Sequence, residues 1–433
     1  MITFNLHRLR FIAPAALASA ILGVLLLPTA KSSAAAPVDG LECESSSSNS
    51  FALTAAAGYI STPDGNSLYM WSYGDTGRSF QLPGPTLCVE SGAHVTVALH
   101  NSLPEATSIM FPGQAQVLAA GQPAQPENDD AGNLTSLTTT AAAGGSTTYT
   151  FTAGAPGSYN YQSGTDVQKQ QQMGLFGALI VRPKGHPDRE NDRADSAFDT
   201  QHEYLYTLSE VDPDAHLAVE RKRAYDWTKY RPRYFMINGR SMPDTIAPNR
   251  AAWLPNQPYG SMIHIRPYEA ATNPRGALIR YLNAGVTSYP FHPHGSDEQL
   301  LARDGHPAQG PGGQDLSYAN FLIDVAPGQT VDTLMIWKDV EHWNPTTNPI
   351  PVQLPQLQDQ IVGPGTETWF SESPYLGVTG TQLPPGVVQN NECGEYYHVA
   401  HSHALEQSTN YGASFGGMMT LIRIDPPAGC PAQ

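Results

Sequence analysis

Charge is scarce in this sequence. Asp, Glu, Lys and Arg make up 14% of 433 residues, where a soluble domain averages about 25%. Coiled coils and helical bundles, which need many Glu, Lys, Ala and Leu and few breakers, are excluded. Bases are scarcer than acids: 23 Lys and Arg against 39 Asp and Glu leave a net charge of −16. With no basic stripe, such a surface repels phosphate backbones and anionic headgroups, so no nucleic acid is expected as a partner. The acidic surplus is read as serving solubility. Cysteine is limited to four residues with no C-x-x-C, which argues against a zinc ribbon or redox dithiol. No Gly-X-Y period is present, so collagen is excluded. Breakers and aromatics are plentiful: 39 Gly, 37 Pro, 20 Tyr, 13 Phe and six Trp, with hydrophobics at 40%, too many for disorder. A chain rich in turns and short strands remains, an all-β protein of more than one domain.

The N-terminus is the one long apolar run. His7, Arg8 and Arg10 precede Phe11 to Ala30, followed by the small residues Ser33 to Ala36. That order of basic, apolar and small-residue regions predicts a signal peptide over 1–35, cut after Ala35, and a secreted or periplasmic protein with no other membrane segment. An oxidising compartment suits two disulfides among Cys43, Cys88, Cys393 and Cys430. Of the three connectivities, Cys43–Cys88 with Cys393–Cys430 is preferred because it staples one loop in each half.

A polar, charged stretch over 186–199 reads as a linker between a first domain at 43–185 and a second at 200–427. Both sides carry the same grammar. Val95, Val97 and Leu99 alternate with polar neighbours in the first half, as Ile263 and Ile265 do in the second, a period of two that gives strands with one buried face. Short strands repeated in two units predict two sandwiches or barrels. Residues 340–392 hold eight prolines and interrupt the second unit as an insertion.

Two short runs carry candidate chemistry: His292-Pro293-His294 and His401-Ser402-His403. On a strand, residues i and i+2 share a face, so two such strands brought together aim four imidazoles at one volume, a donor set for Cu, Zn, Ni or Fe. His398 lies three residues before His401, on the opposite face of a regular strand. Asp297 and Glu298 follow the first pair and either orient a ligand imidazole or lie in a solvated loop. Gly412 to Gly416 spells G-x-S-x-G, but that elbow needs an α/β sheet that nothing here supplies.

The chain resembles the multicopper oxidases. The resemblance rests on Gly84-Pro85-Thr86, Asn101-Ser102-Leu103-Pro104, Pro156 to Tyr159, Ile237-Asn238-Gly239, Tyr289 to Gly295, Ala302 to Gly305, Val325 to Gly328 and Gly417-Met418-Met419, which span most of the sequence in the family's order. It implies two cupredoxin-like Greek-key domains, copper as the cofactor and His292, His294, His401 and His403 as metal ligands. It also implies departures, like those of a bacterial subgroup with altered copper motifs. Ser402 stands where the family has the type 1 cysteine, Tyr289 and Gln407 where it has that copper's histidines, and Met418 remains as an axial candidate. In the first half Met110, Pro112, Gln162 and Gly164 stand at the family's other four cluster histidines.

With those ligands gone, one copper ion, or two at most, and a non-blue centre are expected. Four-electron turnover of the laccase kind is not expected. Partners would be a small reduced substrate or a metal ion, and the resemblance allows a homotrimer. A non-enzymatic cupredoxin scaffold or a copper-sequestering protein is the alternative. A zinc hydrolase is a third reading, weakened because four protein ligands leave no open position for water.

Overall fold

The computed structural model describes residues 40–44, 46, 48–75, 77–78, 80–338, 396–413 and 416–425. The signal segment, the insertion 340–392, and the Cys393 and Cys430 pair lie outside the described residues. Among the described residues no helix is long and apolar enough to cross a membrane.

The protein is all-β, built of cupredoxin-like sandwiches, and the expected alternation sets its strands. In His94–Asn101, Val95, Val97 and Leu99 are buried while His94 and His100 face solvent. Ile263 and Ile265 are buried on either side of half-exposed His264. In the first half a six-stranded sheet runs Ser67–Gly74, Ser50–Ser61, His94–Asn101, Ser146–Thr152, Leu118–Ala119, Gln122–Pro123. A three-stranded sheet of Gly157–Gln162, Phe176–Arg182 and Leu87–Glu90 faces it. Between them lies a core of Trp71, Val97, Phe111, Tyr149, Tyr161 and their neighbours.

The second half repeats the plan. Glu203–Val211 pairs antiparallel with Tyr234–Ile237 and parallel with Ala277–Asn283, just as Ser50–Ser61 pairs with Ser67–Gly74 and His94–Asn101. The opposing sheet runs Ile263–Ile265, Met419–Ile424, Tyr396–Ser402, Tyr289–Pro293, Ile323–Val325. Tyr206, Tyr281, Phe291, Val331 and Ile422 sit in the core between its sheets. Cys43 and Cys88 form the expected disulfide, with Cα atoms 5.5 Å apart.

The halves share buried material. One apolar cluster joins Leu68, Met70 and Phe176 to Val211, Tyr234 and Met236. Beside it runs a charged seam. Arg280, fully buried, gives Nε to Glu203 at 2.8 Å and Nη1 to Ser158 Oγ at 3.0 Å. Ser158 in turn donates to Asp332 at 2.5 Å, and Arg182 holds the other oxygen of Glu203 at 2.7 Å. Residues 186–199 pack rather than dangle, because Glu190, Asn191, Ser196 and Phe198 are all buried. Burial and the nearby Asp332 charge push the Glu190 carboxyl well above the usual carboxylate range, against the pull of Arg280.

Candidate metal centre

The two histidine strands are neighbours. Strand Tyr289–Pro293 turns Tyr289, Phe291 and Pro293 into the core and leaves Pro290 and His292 half-exposed on the other face. Strand Tyr396–Ser402 pairs antiparallel with it, and His401 sits directly opposite His292. His294 continues the ladder by donating its N–H to Val399 O, and His403 by donating to Pro290 O. All four imidazoles therefore gather on one face. Ring centroids are 4.5 Å apart for His292–His294, 5.8 Å for His292–His401, 5.3 Å for His292–His403 and 5.6 Å for His401–His403. Nε2 of His294 and Nε2 of His401 lie 3.2 Å apart. The rings are gathered but not drawn in around a point: among the described residues no three His, Cys, Asp or Glu side chains converge as they would around a bound ion.

The donor set suits copper in chemistry, and two of its four imidazoles are oriented for a metal. Nδ1 of His292 is tied to Phe321 O at 2.5 Å and Nδ1 of His401 to Ser402 O at 2.9 Å. A backbone carbonyl on Nδ1 assigns the hydrogen there and leaves Nε2 as the lone-pair nitrogen, the arrangement a metal-ligating imidazole needs. Burial, reinforced by the neighbouring imidazoles, pushes the His401 ring down to about 4, so it is neutral at physiological pH. Half-exposed His292 and exposed His403 leave the face open to a small molecule.

Two sequence-level candidates fall elsewhere. Glu298 is fully buried and turned into the second core, taking hydrogen bonds from Tyr281 and Thr333; Asp297 is exposed. Neither lies in the histidine cluster. His398 is buried on the face opposite His401, its ring 6.3 Å from Trp337. It also explains Gly295: a Cβ there, at φ +87°, would stand 2.6 Å from the His398 ring. The loop after His294 thus rests on that imidazole, which only glycine permits.

Behind the histidines, where a type 1 copper would need a thiolate and two imidazoles, there is a hydrogen-bonded plug. Ser402 Oγ donates to Gln407 Oε1 at 2.5 Å, and Gln407 Nε2 donates to Ser288 O at 3.2 Å. Ser402, Gln407, Met418 and Tyr289 are all buried. The Tyr289 hydroxyl and Glu210 Oε2 come to 2.1 and 1.9 Å of the point a Gly285 Cβ would occupy, so glycine is required there too.

The first half contains a comparable strand relation without histidines. Met110 bridges Gln162 antiparallel, the same relation that His292 has to His401. Met110 lies against Gly164, its Sδ 2.9 Å from where a Cβ would be. Around them Ser108, Ser136 and Thr165 share hydroxyl contacts of 2.9 to 3.5 Å, and Thr107 and Ser163 both donate to Gln170 Oε1 at 2.7 Å. This hydroxyl cluster escaped the sequence reading. A hint was the run of Ser and Thr at 107, 108, 136, 163 and 165, but their contacts close over separations of 28 to 57 residues.

Residues 63–186 match the family described as multicopper oxidase. A stretch of 151 residues is 30% identical to multicopper oxidase CTB12 of Cercospora beticola, covering 34% of this chain. This part of the chain is similar to a multicopper oxidase domain. The match spans 20% of that curated relative's length. Solved structures agree on the fold. The blue copper oxidase of Nitrosomonas europaea superposes with a TM-score of 0.57 at 18% identity, over 86% of this chain and 85% of that one. The multicopper oxidase mgLAC gives 0.56 at 18% identity, over 89% and 87%. The laccase of Botrytis aclada gives 0.51 at 16% identity, over 89% and 55%. The match to the multicopper oxidase family model falls on the first half, while the four imidazoles lie in the other half.

Proposed function

We propose that the chain is an extracytoplasmic copper protein of multicopper oxidase type, with one non-blue copper ion, two at most, held by His292, His294, His401 and His403. The observation that carries this reading is the opposition of His292 and His401 across adjacent strands, with Nδ1 of each tied to a backbone carbonyl. Copper, when bound, supplies one-electron redox chemistry. The protein's share is to present Nε2 atoms, to keep His401 neutral, and to leave an open face for a small reduced substrate or metal ion. The corresponding first-half positions bear Met110, Pro112, Gln162 and Gly164 and so offer no imidazole, which speaks against a three-copper cluster and four-electron turnover.

A second reading is a scaffold or copper-sequestering protein without turnover. The Ser402–Gln407 plug favours it, since the usual electron entry is filled by side chains. Metal analysis and EPR on the purified chain test the first reading. About one copper per chain with a non-blue Cu(II) signal supports it; no stoichiometric copper ends it. Oxygen uptake with a phenolic dye or ferrous ion then separates an oxidoreductase from a sequestering protein. N-terminal sequencing of the exported protein checks the cut after Ala35.

A further inference from the structure

Away from the histidines, a cleft of about 770 Å³ opens between the strand Ser50–Ser61, the loop bearing Gly77, Arg78 and Phe80, and the loop 250–256. That volume falls in the range of sites for small organic ligands. Its walls are fixed without a ligand. Asn256 donates its side-chain N–H to Tyr59 O at 2.8 Å and accepts the Leu82 N–H on its own carbonyl at 2.8 Å. Gln257 exchanges two hydrogen bonds with the Ser61 backbone, at 2.9 and 3.0 Å.

The lining is aromatic and cationic. Phe80 lies flat on Gly58, where a Cβ would stand 2.5 Å from the ring. Tyr59 stacks edge-on to Tyr69, and its hydroxyl is anchored on Glu220 at 2.5 Å. Leu254 and Pro255 form the facing wall. Two guanidiniums line the same cleft. Arg250 is half-neutralised by Glu42 at 2.8 Å. Arg78 sits on a turn whose N–H groups are held by Asp75 Oδ1, and among the described residues its side chain has no carboxylate within ion-pair distance. The two guanidiniums are the charged groups among the lining residues, next to an aromatic floor.

We propose that this cleft binds a small aromatic carboxylate, with the ring on Phe80 and Tyr59 and the carboxylate on Arg78. A guanidinium matches a carboxylate's two oxygens and the rings supply apolar area, so neither half of the ligand alone would satisfy the site. The inference does not depend on the copper reading.

The test is calorimetric titration of the metal-free full chain with 4-hydroxycinnamate, its methyl ester and inorganic phosphate. The acid should bind, and the ester and phosphate should bind at least about tenfold more weakly. Arg78→Gln should weaken the acid by a similar factor without changing the melting temperature. Ala252→Glu, at an exposed position on the cleft wall, should abolish binding. Equal binding of acid and ester, equal binding of acid and phosphate, wild-type affinity in Arg78→Gln, or no binding of the acid at millimolar concentration would each overturn the proposal.

Discussion

His292 stands directly opposite His401 on adjacent antiparallel strands, and Met110 stands in the same relation to Gln162 in the other half. One scaffold relation therefore holds two imidazoles in one place and a thioether and an amide in the other. Outer hydrogen-bond partners of a ligand imidazole are worth about 10–100-fold in metal affinity. Removing the imidazole should cost at least that. His292→Ala and His401→Ala should each lose copper on dialysis, while Met110→Leu and Gln162→Ala should retain it. Copper-to-protein ratios by elemental analysis check this.

Ser402 and Gln407 make a prediction about colour. Ser402→Cys restores a thiol to the buried pocket but not the two imidazoles, because Tyr289 and Gln407 remain. No intense thiolate-to-copper band should appear on loading with copper. Ser402→Ala leaves Gln407 Oε1 without its buried donor, and an unsatisfied buried group costs about 1–3 kcal/mol. A lower chemical-denaturation midpoint at unchanged slope is the expected readout.

Gly295→Ala should damage the site without touching a ligand. The residue has φ +87°, and its new Cβ would meet the His398 ring at 2.6 Å. A non-glycine residue held in that region costs about 1–3 kcal/mol, before the steric clash is counted. Thermal melting should fall, and copper affinity should fall with it, because the loop fixes His294.

Glu210 makes stability depend on pH. Burial pushes its carboxyl up to about 7, despite hydrogen bonds from Val286 N–H and Tyr230. A carboxyl raised in the fold stabilises fully below its unfolded value, near 4.5, and that stability is lost as pH rises through about 7. Glu298 acts in the same sense. Buried His216, pushed down to about 4, acts in the opposite sense below its unfolded value of 6.5. The carboxyl effect therefore shows cleanly above that value. Glu210→Gln should melt a few degrees above wild type at about pH 8 and show a flatter profile from about pH 6 to 8. An unchanged profile would contradict it.

The sequence made the strands legible because alternation of Val95, Val97 and Leu99 is a local signal. It made the two histidine pairs legible because an i, i+2 spacing settles which face each side chain takes. It did not show that Glu298, three residues past the loop glycine, turns inward to Tyr281 and Thr333, since those partners lie on other strands. Nor did it show Glu190 buried in a stretch that reads as solvated: polarity along a chain says nothing of a guanidinium packed against it in space. The hydroxyl cluster around Ser108 and Thr165 was hidden for the same reason.

The seam around Arg280 makes the chain indivisible. Ser158 and Arg182 come from one half, Glu203, Arg280 and Asp332 from the other, and Glu190 from the stretch between. Severing residues 186–199 and expressing either piece alone would break the Arg182–Glu203 pair and the Ser158 hydrogen bonds to Asp332 and Arg280, while Arg280 keeps Glu203 and Asp332. Breaking a buried ion pair costs about 3–5 kcal/mol, a large share of a typical domain's whole stability. The histidine-bearing half should therefore fold and be degraded together with the half that carries Met110 and Gln162.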